Sequence, residues 1–398
     1  MANYSRYAPA FELQINDAQL PAAVRSLITS VRYDDGRNAA DRVEVEFANA
    51  NLRLLQSHIR GLGFQPFPTA VKIEPIGKLS AVPAGTFDID NKLSLRMGYV
   101  AGGLEDMFLG EVTGVEASFP NGGMPTMSLV AHDLLHRLSQ GSSARGFGPL
   151  ADALVVMILS AENRLMSAVE PGITAISAVL TAENVFKGTG TKQCARGEGQ
   201  SDLELLAEIA KTYDADFWVD GDILYLSRFI NKDSSPRLTL TWGDSLLDFN
   251  PHVSTVGQVA GVSMKFTLRE IPLSFLVTMF YDFDKESVGM SVVPGEAAAG
   301  AKAFSGPSFT IIDQPISSPV DIANSALIIL RTLREKLNKR LTGRGSAVGN
   351  PRIRAGAMIR IEGVGPDFSG DYRVANASHS LSTGGYKTSF EVFKEIIP

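Results

Sequence analysis

The sequence predicts an α+β fold that is mainly β, with two β-barrel domains that each carry a helix and a small α/β domain inserted between them. Short segments that alternate apolar and polar residues, bounded by Gly, Pro or Asn, recur through residues 1–138 and again after residue 235. The stretch between them has helical periodicity instead. A chain of 398 residues is long enough for two or three domains.

The first predicted domain covers residues 1–138 and is a succession of strands. Period-two alternation is clear in RVEVEFAN at 42–49, AVKIEPIG at 70–77, TFDIDNKLSLRMGY at 86–99 and MFLGEVTGVEASF at 107–119. A short amphipathic helix is predicted at Asn51–Arg60, because Gly61 or Gly63 follows where a helix would end. These elements predict the first barrel and its single helix.

The inserted α/β domain is predicted at residues 139–235. A first helix follows Leu150, and a second begins after Ser201, which can cap it while Glu204 completes a capping box. The turn Asp220-Gly221-Asp222 then separates two apolar runs, which is a strong signal for a β-hairpin. Helices followed by a hairpin predict a small α/β domain.

The third predicted domain covers residues 236–398 and returns to strands. A long exposed loop is predicted over Val293–Pro307, followed by a helix at 320–341 with Pro319 in its first turn. Glycine-bounded hairpins between Pro351 and Lys394 are expected to close the second barrel. The first and last domains thus share a plan of strands plus one helix, which suggests two structurally similar domains.

The predicted helix at 320–341 has an apolar stripe and a basic cluster. The stripe consists of Ala326, Leu327, Leu330, Leu333, Leu337 and Leu341. The cluster consists of Arg331, Arg334, Lys336, Lys339, Arg340 and Arg344. It could bind nucleic acid or an acidic partner. A solvated helix face, whose cations complement the helix dipole, is the favoured interpretation because the stripe already accounts for the helix.

Composition excludes several classes of protein. A net charge of −6 argues against a binder of duplex DNA, which needs a basic face, so no nucleic-acid binding is expected. An uninterrupted apolar run of about 18 residues is absent, so no membrane insertion is expected. The first residues lack the apolar core of a signal peptide, which predicts synthesis and folding in the cytoplasm. The single cysteine, Cys194, excludes an internal disulfide framework.

Two motifs invite a chemical interpretation. His132 and His136 have the spacing of a zinc pair on a helix, but the motif lacks its glutamate, and Asp133 does not replace it. Two histidines on a short helix that closes the first barrel is the favoured interpretation. The glycine-rich segment Lys187–Lys192 lacks the spacing of a phosphate-binding loop and is interpreted as a flexible turn.

Carboxylate pairs and one thiol are the other candidates for chemistry. The pairs are Asp34 with Asp35, Glu105 with Asp106, Asp220 with Asp222, and Asp282 with Asp284. Each is predicted at or beside a turn, where Asp is favoured for hydrogen bonding to the backbone. Cys194 lies near Lys192 and Arg196 but has no identified base, so an ordinary thiol is expected. We therefore predict no catalytic, cofactor-binding or metal-binding residues and no cofactor.

The order of short motifs along nearly the whole chain resembles the phage late control D family. The tail carries the densest match, PRIRAGAMIRIEGVGPDFSGDYRVANASHSLSTGGYKTSFEVFK at 351–394. Earlier matches are Ser30-Val31, Tyr33, Asp35-Gly36, Asp41, Phe47 and Asn49, the strand Phe108–Val112, and the helix and hairpin between Leu205 and Leu226. The individual motifs are short, and their order and spacing carry the resemblance.

The resemblance implies a structural baseplate hub of a contractile phage tail or injection system. In that family two barrels per subunit resemble the tube protein, so a homotrimer forms a pseudo-sixfold ring between a hexameric inner tube and a trimeric spike. Other baseplate components are further expected partners. The chain resembles the hub half of type VI valine-glycine-repeat spike proteins but has no glycine-repeat β-helix, so a separate spike polypeptide is expected. His379, Tyr372 and Tyr386 are then expected to pack rather than react.

An enzyme or glycan-binding protein of the tail tip is the alternative. Such a protein would use the middle domain and would need an exposed aromatic platform or a catalytic pair. Phe217, Trp218 and Tyr225 lie in the predicted hairpin, where packing against the apolar stripe Leu203–Ile209 explains them. The structural hub is therefore the favoured function, and no enzymatic activity is expected.

Overall fold

A computed structural model describes residues 8–48, 86–141, 144–187, 195–228, 235–254, 261–268, 274–282, 285, 287–294, 308–316, 319–338 and 340–395. We refer to residues 8–141 as the N-terminal part, 144–228 as the middle part and 235–395 as the C-terminal part. The described chain is mainly β, as the sequence predicts. The predicted helix at Asn51–Arg60 and most of the predicted loop at Val293–Pro307 lie outside the described residues.

Strands dominate the N- and C-terminal parts. The N-terminal part contains β1 (Pro9–Ile15), β2 (Ala18–Gln19), β3 (Ile28–Asp35), β4 (Arg42–Ala48), β5 (Lys92–Tyr99), β6 (Gly103–Ser118) and β7 (Thr126–Asp133). The middle part contains β8 (Arg145–Gly146), β9 (Met166–Val169), β10 (Ala195–Arg196), β11 (Asp216–Asp220) and β12 (Ile223–Ser227). The C-terminal part contains β13 (Leu238–Thr241), β14 (Leu246–Val253), β15 (Gly261–Leu268), β16 (Ser274–Asp282), β17 (Ser287–Pro294), β18 (Ser308–Ile316), β19 (Leu341–Val348), β20 (Met358–Glu362), β21 (Gly370–Ser382) and β22 (Gly385–Phe393).

Helices are concentrated in the middle part. The helices are α1 (Ala22–Arg25), α2 (Asp152–Glu162), α3 (Pro171–Lys187), α4 (Asp202–Tyr213) and α5 (Pro319–Asn338), with a 3-10 helix at Leu134–Ser139. Helix α5 has Pro319 in its first turn, as predicted, but it ends at Asn338 and not at residue 341, so Leu341 of the predicted stripe lies in β19. In the described part of the chain, no helix has the length and apolarity that crossing a membrane requires.

Among the described residues, one sheet of thirteen strands runs through both the N-terminal and C-terminal parts. Its order is β14-β19-β22-β21-β3-β4-β7-β6-β5-β1-β2, with β20 beside β21 and β13 beside β20. The two parts meet where Ala377–Ser382 of β21 pairs antiparallel with Ser30–Asp35 of β3. We call this ladder the seam.

The seam corrects the prediction of two closed barrels. Within the described residues the strands of the two parts form one open sheet, and neither set closes on itself. Hairpin patterns in a sequence identify strands that are neighbours along the chain. They do not identify a ladder between β21 and β3, which are separated by more than 300 residues.

The two parts repeat one arrangement of strands. The order β3-β4-β7-β6, with β5 beside β6, matches the order β14-β19-β22-β21, with β20 beside β21. The β-bulges also match. One interrupts β3 between Ile28 and Ser30 and β14 between Leu246 and Asp248. Another interrupts β6 between Val112 and Gly114 and β21 between Val374 and Asn376. This common set of strands is called the repeated module.

The seam is also a place of apolar packing. Alternate residues of β3, β4, β6 and β7 form the N-terminal core, as the period-two pattern predicts. Leu381 and Tyr386 of the C-terminal part belong to this same core. The C-terminal module has its own core around Tyr372 and Phe390. The two modules therefore share apolar packing as well as backbone hydrogen bonds.

The middle part has a separate core under a small sheet. Strands β11 and β12 form the predicted hairpin, and β9 pairs in parallel with β12. The predicted capping box at α4 is present, because Ser201 accepts from the Glu204 N–H and Glu204 accepts from the Ser201 N–H. Apolar residues of α2, α4 and the hairpin form the core beneath them. Helix α3 was not predicted.

Helix α5 packs on a second sheet of the C-terminal part, in the order β17-β16-β15-β18. The buried helix residues Ile329, Leu333 and Leu337 form a core with Val262 and Met264 of β15. The predicted stripe is correct for Leu333 and Leu337. It is wrong for Leu330, which is 36% exposed. A stripe built on Ile329 follows the same helical period from a starting point one residue earlier.

Candidate functional site at the junction of the three parts

The N-terminal and C-terminal parts are joined by a buried polar cluster, which we call the junction. Arg354 Nε donates to Asp35 Oδ2 over 2.6 Å, and the Ala355 N–H donates to the same oxygen over 3.0 Å. Arg354 Nη2 donates to the Tyr33 hydroxyl over 2.7 Å. That hydroxyl donates to Asp41 Oδ2 over 2.6 Å. One arginine from the loop between β19 and β20 thus satisfies a carboxylate and a phenol of β3.

Burial controls the electrostatics of the junction. It raises the pKa of Asp41 to about 7, and the nearby charge of Asp35 adds to this effect. Burial also raises the pKa of Tyr33. Burial disfavours the charged form of Arg354, but the nearby Tyr33 and Asp35 outweigh this effect and raise the pKa of Arg354. The cation is therefore held firmly, whereas Asp41 is the acid that changes charge near neutral pH.

Asp133 is a second buried acid close to the junction. It caps the 3-10 helix by accepting from the Leu135 N–H over 3.1 Å, and its own N–H donates to the Asp41 carbonyl over 3.1 Å. Burial, followed by the charge of Asp41, raises the pKa of Asp133 to about 8. Burial thus raises the pKa of two neighbouring acids, Asp41 and Asp133, to values near neutrality.

His379 supports the junction from inside the sheet. The imidazole is fully buried, and its Nδ1 lies 2.9 Å from the Tyr386 hydroxyl and 3.0 Å from the Thr388 hydroxyl. Its Nε2 lies 3.0 Å from the Ile353 carbonyl. Burial, with the charge of Arg354, lowers the pKa of His379 to about 3. The ring is therefore neutral, with Nε2–H as the donor to the backbone of the loop that carries Arg354.

The turn between β3 and β4 ties the middle part to the junction. The Asn38 N–H donates to the Phe217 carbonyl, and the Phe217 N–H donates to Asn38 Oδ1, both over 3.0 Å. The Arg37 guanidinium lies 4.0 Å from the centre of the Trp218 ring and donates to the Ala355 carbonyl over 2.8 Å. Arg37 therefore contacts all three parts of the chain.

The aromatic residues of the hairpin lie on opposite faces. Phe217 is in the middle core, as predicted. Trp218 and Tyr225 are on the other face, stacked with ring centres 5.2 Å apart, so the prediction that they pack against α4 is wrong. Neighbouring strand residues point to opposite faces, and the core takes only one face. Arg37 and Tyr225 both pack against the Trp218 ring.

Two cations of the predicted basic cluster form a second tie to the middle part. Asp214, at the end of α4, lies 3.6 Å from Arg331 and 3.5 Å from Arg334. Arg331 also donates to the Lys211 carbonyl in the last turn of α4. These arginines of α5 complement the dipole of α4 rather than that of their own helix. The favoured interpretation as a solvated face is therefore wrong for this pair.

A cleft of about 910 Å³ lies between the three parts. Strands β14, β19 and β22 line one side of it, and their polar lining residues include Asn250, His252, Arg344 and Glu391. Its walls include Arg334 of α5 and the turn at Arg37 and Asn38. Arg344 pairs with Glu391 at 2.8 Å. The cleft is an open groove lined by both polar and apolar residues, and its charged residues include this pair.

In two of the carboxylate pairs of the sequence, each member has a different cationic partner. Asp35 enters the junction, whereas Asp34 pairs with Arg32 at 3.0 Å. Glu105 and Asp106 lie within β6 rather than at a turn, and they pair with Arg352 and Arg96 at 3.1 Å and 2.9 Å. Asp220 and Asp222 flank the hairpin turn, as predicted. Asp282 pairs with Lys285 at 3.3 Å, and Asp284 lies outside the described residues.

The two histidines of the zinc-like spacing are in different elements. His132 is in β7, with Nδ1 2.7 Å from the Thr113 hydroxyl, and His136 is in the 3-10 helix. The prediction of one short helix is therefore wrong for His132. Across the residues that the structure covers, no three His, Cys, Asp or Glu side chains form a group that could hold a metal. Cys194 and residues 188–192 of the glycine-rich segment lie outside them.

The fold is that of phage tail proteins. The chain is similar over 98% of its length to 99% of a 43 kDa tail protein of prophage MuSo2 from Shewanella oneidensis, with a TM-score of 0.60 and 12% identity. A tail protein from Neisseria meningitidis matches 98% of this chain over 97% of its own, with a TM-score of 0.58 and 11% identity. No family model and no curated protein matches the sequence.

The same fold occurs in a type VI secretion component from E. coli. It matches 96% of this chain over 76% of its own length, with a TM-score of 0.50 and 10% identity. That protein is described as similar to the bacteriophage T4 tail proteins gp27 and gp5. The likeness therefore covers the arrangement of all three parts and not one domain alone.

Proposed function

We propose that the chain is the baseplate hub of a phage tail or contractile injection system, with a structural rather than an enzymatic role. The repeated module carries this proposal, since one chain contains the order β3-β4-β7-β6 and again β14-β19-β22-β21. Two similar modules in one polypeptide allow a threefold assembly to match a sixfold one. The match to tail proteins along the whole chain supports the same role.

The proposed assembly is a homotrimer that forms a pseudo-sixfold ring. One side of the ring would bind the hexameric inner tube, and the other would bind a separate trimeric spike. The modules at residues 1–138 and 236–398 would form the ring, with the domain at 139–235 attached to it. The chain would be made in the cytoplasm and then incorporated into the baseplate.

The junction suits such a role because it fixes the two modules relative to each other. Arg354, Asp35 and Tyr33 hold the modules together, while Arg37 and Asn38 hold the middle part. A ring element must keep its modules at a fixed angle to present matching surfaces. A stiff junction would hold the two modules at that angle.

Native mass spectrometry and electron microscopy of the purified chain test the proposal. We expect trimers whose rings have sixfold features, and stoichiometric binding of the tube and spike proteins encoded beside it. A chain that stays monomeric at micromolar concentration and binds neither partner would contradict the hub. Cleavage of peptidoglycan by that monomer would favour the alternative, a tail-tip hydrolase that uses the middle part.

A further inference from the structure

We propose that copies of this chain join edge to edge through β6 of one copy and β14 of the next, in a ladder that repeats the seam. This inference rests on the proposed homotrimer and identifies its contact surface. It follows from the repeated module, because the seam joins the last strand of one module to the first strand of the other. In the seam the last module strand is β21 and the first is β3. The last strand of the N-terminal module is β6 and the first strand of the C-terminal module is β14, and neither takes part in the seam.

Both outer edges have room for a further strand. In the described residues, β5 pairs with β6 only through Gly103–Glu111, and Val112 is hydrogen-bonded to the backbone of Asp90 and Asn91. One edge of Thr113–Ser118 is left without a neighbouring strand among these residues. Strand β14 pairs along its length with β19, and in the described part of the chain only Leu246, at its start, has a further bridge, to Trp242. The corresponding stretch of β21 is beside β20 only through Gly370–Arg373, and beyond this point it takes β3. An open edge of this kind is a ready site for strand addition.

The bulges fix the register of the proposed ladder. Val112 and Gly114 flank the bulge of β6 as Val374 and Asn376 flank that of β21. Ile28 and Ser30 flank the bulge of β3 as Leu246 and Asp248 flank that of β14. Carried over residue by residue, the seam pairs become Val115 with Val253, Glu116 with His252, Ala117 with Pro251, Ser118 with Asn250 and Phe119 with Phe249.

Exposure of apolar residues supports this ladder. Leu381 lies opposite Val31 in the seam and is 9% exposed. Its counterpart in the N-terminal module is Phe119, which is 63% exposed in the single chain. Val253, at the end of β14, is 50% exposed. The side chain that the seam buries in one module is thus left in water in the other.

Charge and backbone chemistry are also compatible with a second copy. The proposed register sets the carboxylate of Glu116 opposite the imidazole of His252. Pro251 has no N–H to donate, and proline on an edge strand limits indiscriminate pairing. A head-to-tail contact of this kind closes into a ring when its rotation is a simple fraction of a turn.

Cysteine cross-linking tests the register directly. We expect Ser118→Cys combined with Asn250→Cys, in a Cys194→Ser chain, to give covalent dimers and trimers on mild oxidation. The control combines Ser118→Cys with Val253→Cys, which lies three residues out of register and should cross-link at least 10-fold less. Equal cross-linking of both pairs, or none by the first pair in a chain that trimerises, would overturn the inference.

Charge insertion provides a second test that is independent of cysteine geometry. We expect Phe119→Lys to reduce the trimer fraction at least 10-fold, with an unchanged circular dichroism spectrum. Val100→Lys is the matched control, because Val100 is 73% exposed in the turn before β6 and should leave the trimer intact. A Phe119→Lys chain that trimerises fully but no longer binds the tube protein would assign this edge to the tube and overturn the proposal.

These experiments separate the two levels of the proposal. A chain that never trimerises, even unmodified and with tube and spike present, refutes the hub itself. A normal trimer that neither cross-links at Ser118 and Asn250 nor responds to Phe119→Lys refutes only the β6–β14 contact.

Discussion

Arg354 and Asp35, which are 319 residues apart in the sequence, form an ion pair of 2.6 Å between Nε and Oδ2 at the junction. Asp35 is only 8% exposed, and its Oδ2 also accepts from the Ala355 N–H. A carboxylate in this position depends on its cation, since a buried charge without a partner is costly. The pair thus adds a buried ionic contact to the seam and the shared apolar core that join the two modules.

We expect Arg354→Ala to lower the free energy of unfolding by about 3 kcal/mol, because it leaves Asp35 buried without a cation. Urea denaturation measures this change. Arg360→Ala is the control, since the Arg360–Asp371 pair is on the surface and should matter little. Equal effects of the two substitutions would show that the junction has no special role.

The pH dependence of stability should reflect Asp133. Because the fold raises its pKa to about 8, the folded protein keeps a proton that the unfolded chain loses near pH 4. The stability from this proton is fully present below about pH 4 and is lost as the pH rises to about 8. Asp133→Asn keeps a capping side chain, so it should be more stable than the parent at pH 8 by at least about 1 kcal/mol.

Denaturation of both proteins at pH 5 and pH 8 measures this difference. The advantage of Asp133→Asn should be larger at pH 8 than at pH 5. An advantage that stays constant or shrinks with rising pH would mean that Asp133 is ionised in the fold.

Gly349 should not tolerate a side chain. A Cβ at this position would lie 2.1 Å from the Tyr386 ring, which packs against His379 in the core. We expect Gly349→Ala to cost about 1–3 kcal/mol in thermal or urea unfolding. Gly146→Ala is the matched control, because a Cβ there meets no atom within 4 Å.

The stack of Arg37 on Trp218 should contribute measurable coupling between the N-terminal and middle parts. A double-mutant cycle with Arg37→Ala and Trp218→Leu should give an interaction energy of about 1 kcal/mol. Additive effects within experimental error would show that the contact has no energetic weight. Limited proteolysis of Arg37→Ala should also cleave the middle part sooner than in the parent chain.

Local elements were predictable from the sequence because their signals are local. Ser201 with Glu204 marks the start of α4, Asp220-Gly221-Asp222 marks the hairpin, and Pro319 marks the start of α5. Helix α3 was missed because Pro171-Gly172 at its start resembles a turn. The resemblance drawn from motif order agrees with the tail-protein fold.

Contacts between distant segments were not predictable in the same way. The seam pairs Leu381 with Val31, and period-two alternation in each strand specifies a face but not a neighbour. The same limit applies to Trp218, whose face of the hairpin depends on which side the middle core occupies. The spacing of four residues predicts a helix for His132 and His136 because it is close to one helical turn. The same spacing also fits the end of a strand followed by a 3-10 helix, which is what the structure has.

The position of the seam inside one chain has a consequence for assembly kinetics. Two modules on separate polypeptides would have to find each other by diffusion and lose translational freedom at each contact. Here one of every two contacts between modules is the seam, which forms within the chain during folding. Its effective concentration is set by the chain and not by the amount of protein in the cell. In the proposed trimer only every second contact around the ring would then depend on protein concentration, so rings should appear at lower expression than those of six single-module subunits.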